Sequence, residues 1–447
     1  MTSAPNLDWK HPFKNAKKLL LGRGVQGIVS LVYTALAAKG LGAEGFGILT
    51  LFHVTILTLR NIAGFRSWQL IMTYGAQALV KSDVLQMRRL LSFSAAIEVS
   101  AAIVCVALVY TFAGALAGLF SIPAEYVSLF QLYSFTLIFL LCSDVGLGVL
   151  RLFDRHDMVS WQLIVEPFIR MVGVLVLYFT GAPLYDYIIL WFIAGVLSKI
   201  ILIVFSAKVL KIELKKYPQD IPITKRRFRL FDIYKEPQPG VWRYALGTSV
   251  QSALAANYAP MFVATVLGPV GAGLWRIAQR FAGALSQPVS KLLVPVIYTD
   301  MSWLNASNRG RDTVAMMLKA GALVGSINAV LVAVLYFTGE WLIQYTVGPD
   351  YLGAFNAMLI LACGTILSAF SFGLAPMLIT AGKIWSTTVI KAIAMVVFFV
   401  TITPLVSYMG VAGAAVATLM NVGISVILMA ILAYYHLKQP VKQDVAP

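Results

Sequence analysis

Charge is scarce in this sequence, and negative charge scarcer still. Only 12% of the 447 residues are charged, and Asp plus Glu number 19 against 35 Lys plus Arg. Soluble globular domains carry about 25% charged residues, so a chain this poor in them is excluded from that class. Cysteine is nearly absent as well: Cys105, Cys142 and Cys363 lie inside apolar runs with no CxxC spacing. That leaves neither a disulfide framework nor a cysteine metal site, and marks the three as small core residues. No GxSxG, HExxH or P-loop pattern occurs. No catalytic constellation is therefore in view; the chain reads as a non-enzyme without cofactor or metal.

What the sequence has is apolar length. Hydrophobic residues make up 59% of it, with a mean hydropathy of +0.81. Runs long enough to cross a bilayer core of about 30 Å, which takes roughly 18 residues or more, recur along the whole chain. They fall at 18–38, 45–77, 88–117, 126–150, 157–180, 184–208, 242–264, 272–298, 313–337, 352–378, 384–406 and 411–435. The expectation is an all-α polytopic membrane protein with twelve transmembrane helices. Loop cations gather on one side, from Lys10 through Arg88, Arg155 and Lys208 to Lys438, while the other side holds Lys39 among acids such as Glu44, Glu125 and Asp350. The net charge of +16 is thus a topology signal and not a nucleic-acid footprint, and it places both termini in the cytoplasm.

The chain repeats itself. LGAEGFGIL at 41–49 and LGPVGAGLW at 267–275 share Leu and three Gly at the same offsets, a shift of 226 residues (267 minus 41). The same shift carries Pro123 onto Pro349. Two pseudo-symmetric six-helix lobes follow, residues 1–207 and 242–447, with a basic cytoplasmic linker at 208–241 between them. Transporters built from such repeats bind substrate near the bilayer midplane between their halves. The linker mixes Lys and Arg with Leu, Ile, Phe and Tyr, which suits either an interfacial segment on anionic lipid or a solvated connection.

Ten cations fall inside the spans: Arg23, Arg60, Arg66, Arg170, Lys199, Arg276, Arg280, Lys291, Lys319 and Lys391. Acids at similar depth are Glu98, Asp144 and Glu166. A cation there costs about 2.5–3.5 kcal/mol on insertion scales, so these groups should face water or each other. At about 100° per residue, Arg276, Gln287 and Lys291 lie within about 40° of Arg280 on the eighth span. On the second span Arg60 shares a stripe with His53 and Ser67, while Arg66 points about 140° away. Two stripes of one sign make an anion-binding cavity. Arg60, Arg280 and Lys291 have no acid one turn away on their own span. Lys199, Lys319 and Arg66 sit near span ends, where long side chains snorkel to the interface. Glu166 and Arg170, spaced i, i+4, should neutralise each other. His53, Glu98 and Asp144 are the titratable candidates for proton or sodium coupling, with packing a competing role for His53 and pairing to a cavity arginine one for Asp144.

The repeated LGxxGxG, GVLRLFDRHDMVSWQ at 148–162 and VGPDYLGAFNAMLILACG at 347–364 resemble the Wzx-type polysaccharide flippases. These belong to the multidrug/oligosaccharidyl-lipid/polysaccharide exporter superfamily, together with the MATE antiporters and the MurJ lipid II flippase. The resemblance implies a MATE/MurJ-like pair of lobes in the bacterial inner membrane, moving undecaprenyl-pyrophosphate-linked oligosaccharide to the outer leaflet by alternating access for surface polysaccharide biosynthesis. MurJ-like relatives line their cavity with arginines on the first, second and eighth spans, which match Arg23, Arg60, Arg276 and Arg280 here. The two extra C-terminal helices of MurJ have no counterpart among the twelve spans, which favours the Wzx type. Implied partners are the lipid-linked glycan, membrane lipids, and a polysaccharide polymerase or other assembly proteins. The alternative is a MATE-type cation-coupled drug antiporter, whose cationic cargo a basic cavity would repel.

Overall fold

The structure, a computed structural model, describes the backbone over residues 10–216, 234–306, 310–370, 374, 377–378 and 384–438, and side chains over 26–216, 234–284, 319, 321–369, 374, 377–378 and 385–435. Every regular element among the described residues is helical, as continuous apolar runs in hydrocarbon require, since a helix satisfies its backbone internally. The first part of the chain forms α1 (Lys10–Ala63), α2 (Ser67–Leu70), a π-helical turn at Ile71–Gly75, α3 (Ala76–Val80), α4 (Val84–Leu119), α5 (Val127–Ser134), α6 (Thr136–Leu152), α7 (His156–Thr180) and α8 (Leu184–Leu214). There follow α9 (Val241–Leu254), α10 (Ala259–Ala306), α11 (Gly310–Thr346), α12 (Phe355–Phe370), α13 (Ile384–Met409) and α14 (Val411–Lys438).

Ten helical stretches among the described residues are long and apolar enough to cross a membrane. Two of them, Gln26–Val80 and Val241–Ala284, each hold two of the expected spans, so ten plus two recovers the twelve. Their fusion has one cause in both halves. The expected loop at 39–44 is no loop: α1 runs through it with a single kinked residue, Gly42, and α10 does the same at Gly268. The repeat-related prolines also act alike, Pro123 preceding a 3-10 turn at Ala124–Tyr126 and Pro349 opening one at Pro349–Ala354.

Packing divides the chain into two units, Met1–Leu41 with Ile48–Tyr258, and Gly42–Gly47 with Ala259–Pro447. The linker at 208–241 marks the repeat, whereas the packing division falls later, at Tyr258. In the first unit α9 joins α2 and α4: Val241 and Ala245 pack with Leu70, Leu90, Phe93 and Ile97, all buried. Trp242 meets Phe93 edge-on at 5.0 Å and Phe65 at 6.2 Å. In the second unit the two LGxxGxG segments cross at glycines. A Cβ on Gly47 would lie 1.9 Å from the Pro269 carbonyl oxygen, and one on Gly273 would lie 2.6 Å from that of Ala43. Small residues permit such backbone approach between membrane helices. Residues 217–233 of the linker lie outside the described residues.

Candidate functional site

Hydrocarbon offers no water to freed backbone groups, so a membrane helix breaks only where protein or a wet cavity replaces it. Residues 64–66 are such a break. The Gly64 N–H donates to the Arg60 carbonyl at 2.8 Å. A side chain at Gly64 would come within 2.6 Å of that oxygen. Arg66 takes the left-handed conformation, φ 48° and ψ 47°, as the residue before α2, a region non-glycine residues seldom visit. The loose ends are tied from other helices. Thr248 Oγ1 of α9 donates to the Phe65 carbonyl at 2.9 Å, and Ser249 Oγ donates to that of Ile62 at 3.2 Å. Glu98 of α4 caps the restart, its Oε1 accepting from the Ser67 backbone N–H at 3.2 Å and from Ser67 Oγ at 2.6 Å. A carboxylate at a helix N-terminus also meets the positive end of the dipole.

The break assembles charges that a continuous helix would separate. Arg60 Nη2 pairs with Asp144 Oδ1 of α6 at 2.6 Å, with the Asp144 side chain 5% exposed and that of Arg60 31%. Arg60, with no acid within a turn on its own helix, thus receives one from another. Arg66 lies within electrostatic reach of both Arg60 and Asp144. Its expected position on the opposite side is corrected, because that projection assumed one unbroken helix through residues 64–66. Glu98 is fully buried. Its Oε2, the Oγ of Ser94 one turn earlier and the Arg60 Nε are buried polar atoms without a hydrogen-bond partner among the described residues. Four ionisable side chains, two basic and two acidic, therefore converge around an interrupted membrane helix in the first unit.

The other sequence candidates are placed as follows. His53 Nδ1 shares a hydrogen bond with Tyr133 Oη at 2.9 Å. Arg276 and Arg280, one turn apart on α10, are half-buried and engaged with neighbours. The side chains of Arg23, Gln287 and Lys291 lie outside the described residues. Arg170 Nη2 contacts Glu166 Oε1 at 2.8 Å and sits 5.1 Å over the Trp191 ring. Lys199, expected to snorkel, instead turns inward: its Nζ is 3.5 Å from Glu166 Oε2 with the side chain 17% exposed. Thr248 and Ser249 were not legible as site residues, since nothing in their own span marks them as partners of a distant break. Gly64 carried the usable signal, a helix-stopping residue inside the apolar run.

No family model matches the chain. Inner membrane protein YghQ of Escherichia coli (strain K12) is 26% identical over 334 residues, 74% of this chain and 91% of that protein. An inward-facing multidrug resistance MATE family transporter of the MOP superfamily superposes with a TM-score of 0.71 at 15% identity, over 92% of this chain and 94% of that one. A MOP superfamily transporter from Pyrococcus furiosus, described as having a binding pocket of reverse polarity, gives 0.60 at 15% identity, over 96% and 97%. These likenesses establish the fold, that of the MATE transporters of the MOP superfamily.

Proposed function

We propose that this protein is an inner-membrane flippase that moves undecaprenyl-pyrophosphate-linked oligosaccharide from the cytoplasmic to the outer leaflet by alternating access. The observation that carries the reading is the break at residues 64–66, which brings the guanidinium groups of Arg60 and Arg66 together at membrane depth. A pyrophosphate is excluded from hydrocarbon, and guanidinium groups replace its water through paired, charge-assisted hydrogen bonds. Arg60 is held by Asp144, and an arriving pyrophosphate competes with that carboxylate for it. Arg276 and Arg280 on α10, with Arg23, Gln287 and Lys291, are the further candidates that the sequence offers for substrate contact. The isoprenoid tail stays in the bilayer while the glycan crosses. The MATE-type fold supports a transporter, and the inner membrane relative supports the location.

Coupling fits Glu98 best among His53, Glu98 and Asp144. His53 already has Tyr133 as partner and Asp144 has Arg60, whereas one oxygen of Glu98 has no hydrogen-bond partner among the described residues. Proton or sodium exchange at that oxygen would alter the cap on α2 and so the break itself.

The test is transport of a fluorescent undecaprenyl-pyrophosphate-linked oligosaccharide in reconstituted vesicles. Wild-type protein should flip the lipid, and Arg60→Ala and Arg66→Ala should each abolish it. Full activity in both variants would remove the site. Wild-type vesicles that ignore lipid-linked glycans yet exchange a cationic drug for protons or sodium would replace the reading with a drug antiporter.

A further inference from the structure

Away from the break, α7 and α8 leave a groove of about 580 Å³ between them. Its walls are apolar and include Trp161, Val165, Ile201, Val204 and Phe205. Trp161 is 69% exposed and Val204 is 44% exposed. Such a volume falls in the range of small-molecule sites, about 300–1,000 Å³. In a bilayer-spanning helix pair it opens on hydrocarbon chains. One end differs in kind. Asp157 closes it, already neutralised by Arg155, whose Nε and Nη2 donate to its two oxygens at 3.2 and 3.3 Å. Beyond that pair the stripe Ile201, Val204, Phe205 continues, at i+7 from Ile201, into Lys208. Lys208 is exposed, with Lys211 three residues on. Neither has an ion-pair partner among the described residues. This basic end is the one that the positive-inside pattern assigns to the cytoplasmic leaflet, where anionic lipid gathers near juxtamembrane cations.

We infer that the α7–α8 groove is a binding site for an anionic phospholipid of the cytoplasmic leaflet, one acyl chain lying along Trp161, Val165 and Val204 and the phosphate meeting Lys208 and Lys211. The apolar walls hold the chain, and the uncompensated cations select the headgroup. Asp157, tied to Arg155, does not oppose it. The site is independent of the flippase reading, because the groove and the break share no residue.

The experiment uses the full chain in vesicles containing a photoactivatable acyl-chain probe with either a phosphatidylglycerol or a phosphatidylcholine headgroup, followed by peptide mapping. The phosphatidylglycerol probe should label segments 157–165 and 200–208 several-fold more than the phosphatidylcholine probe. Val204→Trp, which fills the groove, should remove labelling by both probes there. Lys208→Glu, at an exposed position that leaves the packing untouched, should remove only the preference. Equal labelling by the two headgroups would reduce the groove to bulk-lipid contact and overturn the proposal. So would a preference that survives Lys208→Glu, or displacement of the probe by a polyprenyl phosphate but not by unlabelled phosphatidylglycerol.

Discussion

Gly42 and Gly268 stand at repeat-equivalent positions, 226 residues apart (268 minus 42), and share one backbone conformation, φ 67° and ψ 176° in the first, φ 63° and ψ −165° in the second. Only glycine is at home there, and any other residue costs on the order of 1–3 kcal/mol. Five residues on from each, Gly47 and Gly273 make reciprocal approaches: Gly47 to the Pro269 carbonyl and Gly273 to that of Ala43, which is itself the repeat counterpart of residue 269. The LGxxGxG motif thus encodes a kink and then a crossing. Alanine should be least tolerated at Gly47, where a backbone oxygen would sit at 1.9 Å. It should be next worst at Gly273, at 2.6 Å, and mildest at Gly42, where nothing lies within 4 Å and only strain opposes it. Thermal unfolding of the three purified variants checks that order; a Gly42→Ala protein less stable than Gly47→Ala would contradict it.

Arg60 and Asp144 lend themselves to a double-mutant cycle. Removing one partner of a fully buried pair strands the other and costs about 3–5 kcal/mol, whereas removing both is far cheaper; with the Arg60 side chain 31% exposed, the cost here is smaller but of the same sign. Asp144→Ala and Arg60→Ala should each lower the unfolding midpoint by more than the double variant does relative to either single change. Transport should not follow stability: the double variant regains the fold but loses the guanidinium group and stays inactive. A double variant that transports would assign Arg60 a purely structural role.

The architecture was legible in the sequence because apolar run length, cation placement and a 226-residue echo are all properties of the linear chain. Twelve spans and an all-helical fold follow from them directly. The break was not, since an apolar run from Phe46 to Met72 reads as one helix on length alone. Projecting Arg66 along that imagined helix put it opposite Arg60, when a left-handed residue at 66 redirects the chain. The pairing of Arg60 with Asp144 spans 84 residues of sequence, and the ties from Thr248 and Ser249 span 183 and 187. No local pattern reports contacts of that range. Lys199 was misplaced for the same reason, as its acid lies on α7, 33 residues earlier.

Glu166 binds two cations, Arg170 at 2.8 Å and Lys199 at 3.5 Å, and so holds together α7 and α8. Glu166→Gln should leave two like charges in a buried place and cost about 3–5 kcal/mol. Lys199→Met removes the longer contact while keeping the Glu166–Arg170 pair, so it should be nearly neutral on its own. It should also rescue part of the loss in Glu166→Gln. Chemical or thermal unfolding in detergent reads all three. An unaltered Glu166→Gln midpoint would mean that water, rather than the carboxylate, satisfies Arg170.

Glu98 offers a separation of cap from charge. Glutamine retains a carbonyl oxygen able to accept from Ser67 N–H and Oγ, whereas leucine leaves both donors unsatisfied. A buried donor without its partner costs about 1–3 kcal/mol, so Glu98→Leu should be the less stable variant and Glu98→Gln close to wild type. If Glu98 also exchanges a proton or sodium ion during transport, Glu98→Gln should keep the fold yet lose the response of transport to an imposed gradient, with gradient-independent lipid exchange intact. Gradient dependence retained in Glu98→Gln would confine this residue to capping. In that case the next place to look is Asp144, whose carboxylate would lose its partner if Arg60 takes a pyrophosphate as proposed.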